Sequence, residues 1–255
     1  MTLCLDETQS KKVYMTNENK SILENILVQK TQNILSFYQQ HNSKAVTLSF
    51  GDQLHDLALL LLCPALSQQN IPVHLIFMPD SHTDTLVYDT LTKLCDFYKI
   101  NLKIIPIKFL QGLYKNLFTE YLQLSVLESH TEEKSQTSSA TLNSIRQTII
   151  ATLIQEKNYL YLDATSKTHF LRGYPPLHLV IKKTLCPFGQ VDLSNLYDWI
   201  KSAFPAQFKK DIEMLSDILS KRPESMNLDN LQFIDKTNEL NKYATLNQID
   251  YFPII

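Results

Sequence analysis

The stretch Ala45-Val46-Thr47-Leu48-Ser49-Phe50-Gly51-Asp52-Gln53-Leu54 decides how this chain folds. Ala45 to Ser49 is a short apolar, β-branched run, the pattern of a buried strand, and it ends at a glycine-containing turn. Leu54 to Leu66 follows as a strongly apolar helix, so the unit reads strand, loop, helix. The unit then recurs. Val73 to Met78 reads as a buried strand, Pro79 to Thr83 as a turn, Asp84 to Tyr98 as an amphipathic helix, and Leu102 to Ile107 as a third strand. Strands alternating with helices predict an α/β domain, a doubly wound parallel sheet with helices on both faces.

Upstream of this unit, Ser21 and Glu24 match a capping box. Ile22, Ile26, Ile34 and Leu35 then recur at helical spacing through Gln40. Downstream, Leu110 to Leu127 reads as a helix and the polar, aperiodic Glu128 to Ala140 as a mobile loop. Thr141 to Gln155 reads as another helix, Tyr159 to Leu162 as a fourth strand, and two more helices surround Leu196 to Ala203 and Phe208 to Leu219. Residues 1–17 form a polar extension and residues 223–255 a tail around a single domain spanning 1–255.

The composition narrows the function. With 24 basic and 26 acidic residues the formal charge is -2, so no global field draws the chain to nucleic acid or to anionic lipid. The first twenty residues lack the apolar core of a signal peptide. No apolar run approaches the ~20 residues that span a bilayer, which points to a cytoplasmic protein without a membrane partner. Cys4, Cys63, Cys95 and Cys186 are too scattered for a zinc site and read as reduced thiols. Only four glycines occur, Gly51, Gly112, Gly173 and Gly189, so each is expected where backbone geometry demands it.

In an open parallel sheet, ligands bind beyond the carboxyl ends of the strands where strand order reverses. Three segments meet that description: Ser49-Phe50-Gly51-Asp52, Met78-Pro79-Asp80-Ser81 and Asp163-Ala164-Thr165-Ser166-Lys167. A loop of small residues opening onto a helix offers backbone N–H groups and a positive dipole end to phosphate, and Ser49 and Gly51 fit that role. Phe50, Asp52 and Leu54 fit it poorly, through bulk, charge and lost polarity. A plain strand-to-helix turn capped by Asp52 is the competing reading. Asp80 and Ser81 read first as helix caps. Lys167, just past a strand end, is of a type and place that can reach phosphate, and an exposed loop lysine without a function is the competing reading. His55, His82 and His169 read as satisfied or solvated, none having a partner at metal-binding spacing.

Taken in order, these segments resemble the ammonia-dependent NAD synthetases, across nearly the whole chain. The family's Ser-Gly-Gly-x-Asp-Ser pyrophosphate loop is matched by Ser49-Phe50-Gly51-Asp52-Gln53-Leu54, and Met78-Pro79 is similar to the family's strand ending. Leu160 to His169 looks like the family's LVLTTGNKSE segment, with Arg146 on the preceding helix, Gly173-Tyr174 following, and Pro223 near a C-terminal turn. The resemblance implies an adenine nucleotide alpha hydrolase-like fold and a homodimer. It also implies a reaction in which ATP and magnesium adenylylate deamido-NAD before ammonia displaces AMP. An adenine nucleotide or dinucleotide is then the implied ligand, with Ser49, Gly51, Asp52, Met78, Pro79, Arg146, Thr165, Lys167 and Gly173 as its contacts.

The departures fall on the groups that such chemistry needs. Phe50, Gln53 and Leu54 replace a small residue, an Asp and a Ser of the loop, and His169 replaces a metal-binding Glu. Val180 and Asp198 stand near positions of a second metal ligand and a phosphate-contacting Lys. At about 2 to 3 kcal/mol of transition-state stabilisation for each lost group, adenylyl transfer would slow by many orders of magnitude. The sequence therefore predicts a catalytically impaired homologue, a pseudoenzyme that binds or regulates. The alternative is an active AMP-forming amide ligase whose metal site is rebuilt from Asp52, Asp56 or His169. A third reading, from the Ser49-Phe50-Gly51 turn, is a sulfonucleotide-reductase-like protein, but the C-terminal catalytic cysteine motif is missing.

Overall fold

Four of the five strands lie where the alternating pattern places them, in an all-parallel sheet of order β3-β2-β1-β4-β5. The strands are β1 (Val46–Phe50), β2 (Val73–Phe77), β3 (Asn101–Ile104), β4 (Leu160–Leu162) and β5 (Thr184–Leu185). A computed structural model describes residues 17–51, 53–80, 83–117, 133–171 and 183–220. Residues 1–16 and the tail 223–255 lie outside the described residues.

Both faces of β1 are buried, as an internal parallel strand requires. Val46, Leu48 and Phe50 face a large core shared with Leu75, Phe77, Leu91, Leu196 and Leu215. Neighbouring Ile76, Met78 and Tyr161 join a smaller core on the opposite side with Ile145, Ile150 and Ile154. Helices α1 (Asn17–Gln40), α2 (Cys63–Gln68), α3 (Thr85–Tyr98), α7 (Leu193–Ala203) and α8 (Lys209–Ser220) border the first core. Helices α4 (Lys108–Asn116) and α5 (Glu133–Lys157) border the second, and the short α6 (Lys167–Leu171) follows β4.

Several boundaries depart from the sequence reading. Helix α1 starts at Asn17, so Ser21 lies inside it rather than at its cap. The apolar run after Gly51 begins as a 3₁₀ helix, Leu54–Leu62, and becomes α-helical only in α2. Pro64 is a physical reason for the change, because it has no N–H to donate to the carbonyl of Leu60. That carbonyl is bonded instead by the N–H of Cys63. Strand β3 ends before Pro106, although Ile105 and Ile107 still donate to the Phe77 and Pro79 carbonyls at 2.8 and 3.0 Å.

Residues 133–140, read as part of a mobile loop, are the first turns of α5. Their Glu, Lys, Gln and Ala favour helix even without an apolar stripe, and an established helix extends cheaply through them. The rest of that loop and residues 118–127 of the expected helix lie outside the described residues. Strand β5 was not anticipated, since two residues show no period.

The shortage of glycine shapes the helix ends. Left-handed positions after α1, α2 and α5 are filled by Asn42, Asn70 and Asn158, and Lys99 fills the one after α3. Asparagine is the side chain that tolerates this conformation best after glycine.

Candidate functional site

Strand order reverses between β1 and β4, which places the switch point at the carboxyl ends of those two strands. Ser49 and Gly51 leave β1 there, and Asp163 to Lys167 leave β4. Across the gap the Ser49 hydroxyl and the Tyr161 hydroxyl are hydrogen-bonded at 2.6 Å. The backbone N–H of Gly51 donates to Oδ2 of Asp56 at 2.8 Å. Both polar groups expected to face a ligand from this loop are thus engaged by the chain's own side chains.

Phe50 does not stand in the loop. Its ring is 1% exposed and meets Phe77 edge-on at 5.9 Å inside the main core, so it does not restrict approach to Gly51. Leu54 also packs against that core. Two other side chains wall the glycine. A Cβ placed on Gly51 would lie 3.7 Å from Asp56 Oδ2 and 3.9 Å from Arg146 Cδ.

Arg146 reaches the site from α5 and ends under the turn after β2. One of its terminal nitrogens lies 3.4 Å from Asp80 Oδ2 and 3.5 Å from the Met78 carbonyl. The Arg146 and Asp80 side chains are only 7% and 4% exposed, so this is a buried ion pair. Asp80 is therefore not the cap of α3. That role belongs to Asp84, which accepts from the Leu86 N–H at 2.8 Å, while Asp80 takes the Thr83 hydroxyl.

On the β4 side, Asp163 Oδ1 accepts from the N–H and the hydroxyl of Thr165 at 2.9 and 2.6 Å. Lys167 is turned toward Asp192, 3.8 Å away ahead of α7. His169 Nδ1 contacts the hydroxyl and N–H of the fully buried Ser166, at 2.7 and 3.1 Å. Its ring lies 4.4 Å from that of His55. His55 Nδ1 has no hydrogen-bond partner among the described residues, and Nε2 sits 3.7 Å from Asp56.

Burial fixes the charges in this cluster. It lowers the His55 pKa to about 4, so the contact with Asp56 is not an ion pair at neutral pH. Burial also raises Asp56 to about 7, helped by the nearby Asp163 carboxylate and opposed by N–H groups of Gly51 and Gln53 and by Arg146. The Tyr161 phenol is held far above its ordinary range by burial and by Asp163. Burial and Asp163 likewise push up the Cys186 thiol.

Of the residues expected to contact a ligand, Ser49, Gly51, Met78, Pro79, Arg146 and Thr165 come together at this edge, and Lys167 borders it. Asp52 and Gly173 lie outside the described residues. Of the metal-ligand candidates, Asp56 is committed to Gly51 and His169 to Ser166. No group of three His, Cys, Asp or Glu among the described residues is placed to hold a metal ion. The sequence reading placed Asp163 in the loop after the fourth strand without giving it a role of its own, and it missed Tyr161. A tyrosine in an otherwise aliphatic buried strand was the available signal, because its hydroxyl must find a partner.

Sheet order, switch-point loop and flanking helices define the adenine nucleotide alpha hydrolase-like fold of the NAD synthetases. The ammonia-dependent NAD synthetase of Campylobacter jejuni superposes with a TM-score of 0.57 at 17% identity, over 85% of this chain and 84% of that one. NAD synthetase from Burkholderia pseudomallei gives 0.56 at 10%, over 83% and 90%. A glutamine-dependent NAD synthetase from Cytophaga hutchinsonii gives 0.62 at 12%, over 76% of this chain and 39% of that longer one. At such identities the likeness is one of fold. No protein-family model matches the sequence, and no curated protein matches it either.

Proposed function

We propose that this chain is an NAD synthetase-like protein that does not carry out ordinary adenylyl transfer and serves as a binding or regulatory protein. The observation that carries this reading is the internal use of the loop: Ser49 is bonded to Tyr161 and Gly51 to Asp56. Transfer of an adenylyl group needs donors and cations aimed at developing negative charge.

The fold family implies ATP with magnesium, and the described residues do not fit that pair. A triphosphate at Gly51 meets the Asp56 carboxylate in place of an N–H, with Asp163 close behind. Arg146 is engaged by Asp80, and Lys167 by Asp192. Magnesium with a nucleotide is held through one or two carboxylates together with phosphate oxygens and waters, and here Asp56 already accepts from Gly51 and Asp163 from Thr165.

One observation favours an active ligase with a rebuilt metal site: Asp56 and Asp163 are close enough for one to raise the pKa of the other. Isothermal titration with ATP and magnesium, with and without deamido-NAD, followed by assay of AMP release with ammonia, separates the two. Absence of heat and of AMP is the expected result. Magnesium-dependent binding with AMP formation would sink the proposal in favour of the ligase.

Cytoplasmic residence and pairing of two copies are part of the same reading. No described helix is long and apolar enough to cross a membrane. Phe109, Leu113 and Leu117 lie exposed along α4 and its end, offering an apolar stripe for the second copy.

A further inference from the structure

We infer that the Asp56 carboxylate acts as an intramolecular anion that closes the Gly51 loop to phosphoryl groups, so that one side chain decides whether the loop accepts them. This inference rests on the preceding reading and deepens it, by naming the group that excludes phosphate. Asp56 Oδ2 takes the Gly51 N–H at 2.8 Å, the interaction a phosphate oxygen would make there. The same oxygen lies 3.7 Å from where a Gly51 Cβ would stand, and Arg146 Cδ lies at 3.9 Å on the same glycine. Asp56 thus occupies the Gly51 N–H that a phosphate oxygen would take, with the Arg146 side chain on the same glycine. An arriving anion must displace it and then share the space with it.

Among the described residues, the groups around Asp56 come from several elements. His55 lies beside it on the 3₁₀ helix, and the ring of His169 of α6 lies tilted against the His55 ring. The N–H groups of Gly51 and Gln53 and the guanidinium of Arg146 favour the ionised carboxylate. Asp163, at the end of β4, disfavours it, and Tyr161 stands nearby with its phenol neutral. Asp80 balances Arg146. Burial leaves Asp56 titrating at about 7, so protonation would remove the resident negative charge on the acid side of neutrality.

The test uses the full chain and inorganic sulfate, a tetrahedral dianion whose charge does not change near neutrality. Because the chain has only four glycines, the Gly51 amide is an accessible reporter in a nitrogen-proton correlation spectrum. Titrations are run about one unit above and one unit below the Asp56 value of about 7, for wild type, Asp56→Asn and Asp56→Ala. Above it, sulfate is expected to leave the wild-type Gly51 resonance in place. Both variants are expected to show a saturable shift over the same sulfate range and to bind up to roughly tenfold more tightly, the factor that one pKa unit represents. Below it, wild type is expected to gain binding while the variants stay unchanged.

Wild type binding sulfate above that value as tightly as the variants overturns the inference. So does the absence of any Gly51 shift in variants that still melt cooperatively. The near-isosteric Asp56→Asn decides the matter if the alanine variant fails to fold. If wild type neither binds ATP nor binds sulfate, and the variants do not bind either, the closure by Asp56 falls while the proposed loss of adenylyl transfer stands.

Discussion

At the scale of single residues, burial moves the two neighbours His55 and Asp56 in opposite directions. Asp56 has a folded pKa of about 7 against an ordinary 3.8, so its stabilising contribution is complete below 3.8 and is lost as pH rises through 7. His55 has a folded pKa of about 4 against 6.5, so its contribution is complete above 6.5 and is lost as pH falls through 4. The two effects oppose each other across the acid range and flatten the stability profile. At about 1.4 kcal/mol per pKa unit, each is worth a few kcal/mol at most. Asp56→Asn is therefore expected to raise the thermal midpoint above pH 7, and to expose an unopposed loss below pH 6.5 from His55. Melting curves collected across pH check this. A variant whose profile parallels wild type at every pH contradicts the assignment.

At the scale of elements, α3 shows how local chemistry sets a helix that tertiary contacts then use. Asp84 caps its first turn, accepting from Leu86, and Lys99 ends it at a φ of 56°, with Ile100 donating back to the Cys95 carbonyl at 2.8 Å. Asp84→Ala is expected to lower stability by about 1 kcal/mol, through loss of the cap. Lys99→Gly is expected to raise it by up to about 1 kcal/mol, because glycine reaches the left-handed conformation without a Cβ clash. Urea denaturation monitored by circular dichroism reads both. Two changes of the same sign would show that the ends of α3 are governed by contacts other than these.

At the scale of the whole molecule, the reversal between β1 and β4 gathers Ser49, Asp56, Arg146, Tyr161 and Asp163 from distant parts of the chain. The edge strand β3 and helix α4 lie at one side of the sheet, where Ile104, Phe109, Leu113 and Leu117 are exposed. Gly112, also on α4, would add a Cβ into open space, so it is not retained for packing within the described chain. If two copies pair through this stripe, Leu113→Glu is expected to shift the mass measured by sedimentation from two chains to one. Wild type and variant sedimenting alike as single chains would remove the expected dimer.

The periodicity around Ala45 to Leu66, repeated at Val73 to Tyr98, was enough to specify a parallel sheet with covering helices. Hydrophobic spacing is a local property, and both faces of these strands are buried as it requires. It also placed the loops that converge at the switch point, because strand ends are local too. What it did not reveal is which side chains meet there. Phe50 read as an obstruction and became core, Asp80 read as a cap and became the partner of Arg146, and Tyr161 and Asp163 were not singled out. Each of those outcomes depends on contacts between residues as much as 112 positions apart, such as Ser49 with Tyr161. The two-residue β5 belongs to the same class, since pairing with β4 decides it, whereas the change from 3₁₀ to α-helix in the apolar run has a local cause in Pro64. The sequence alone determined the layers and their order of appearance. Only the tertiary structure decided that the loop's donors turn inward, because charge and hydrogen-bond partners at the site are set by burial and by distance in space.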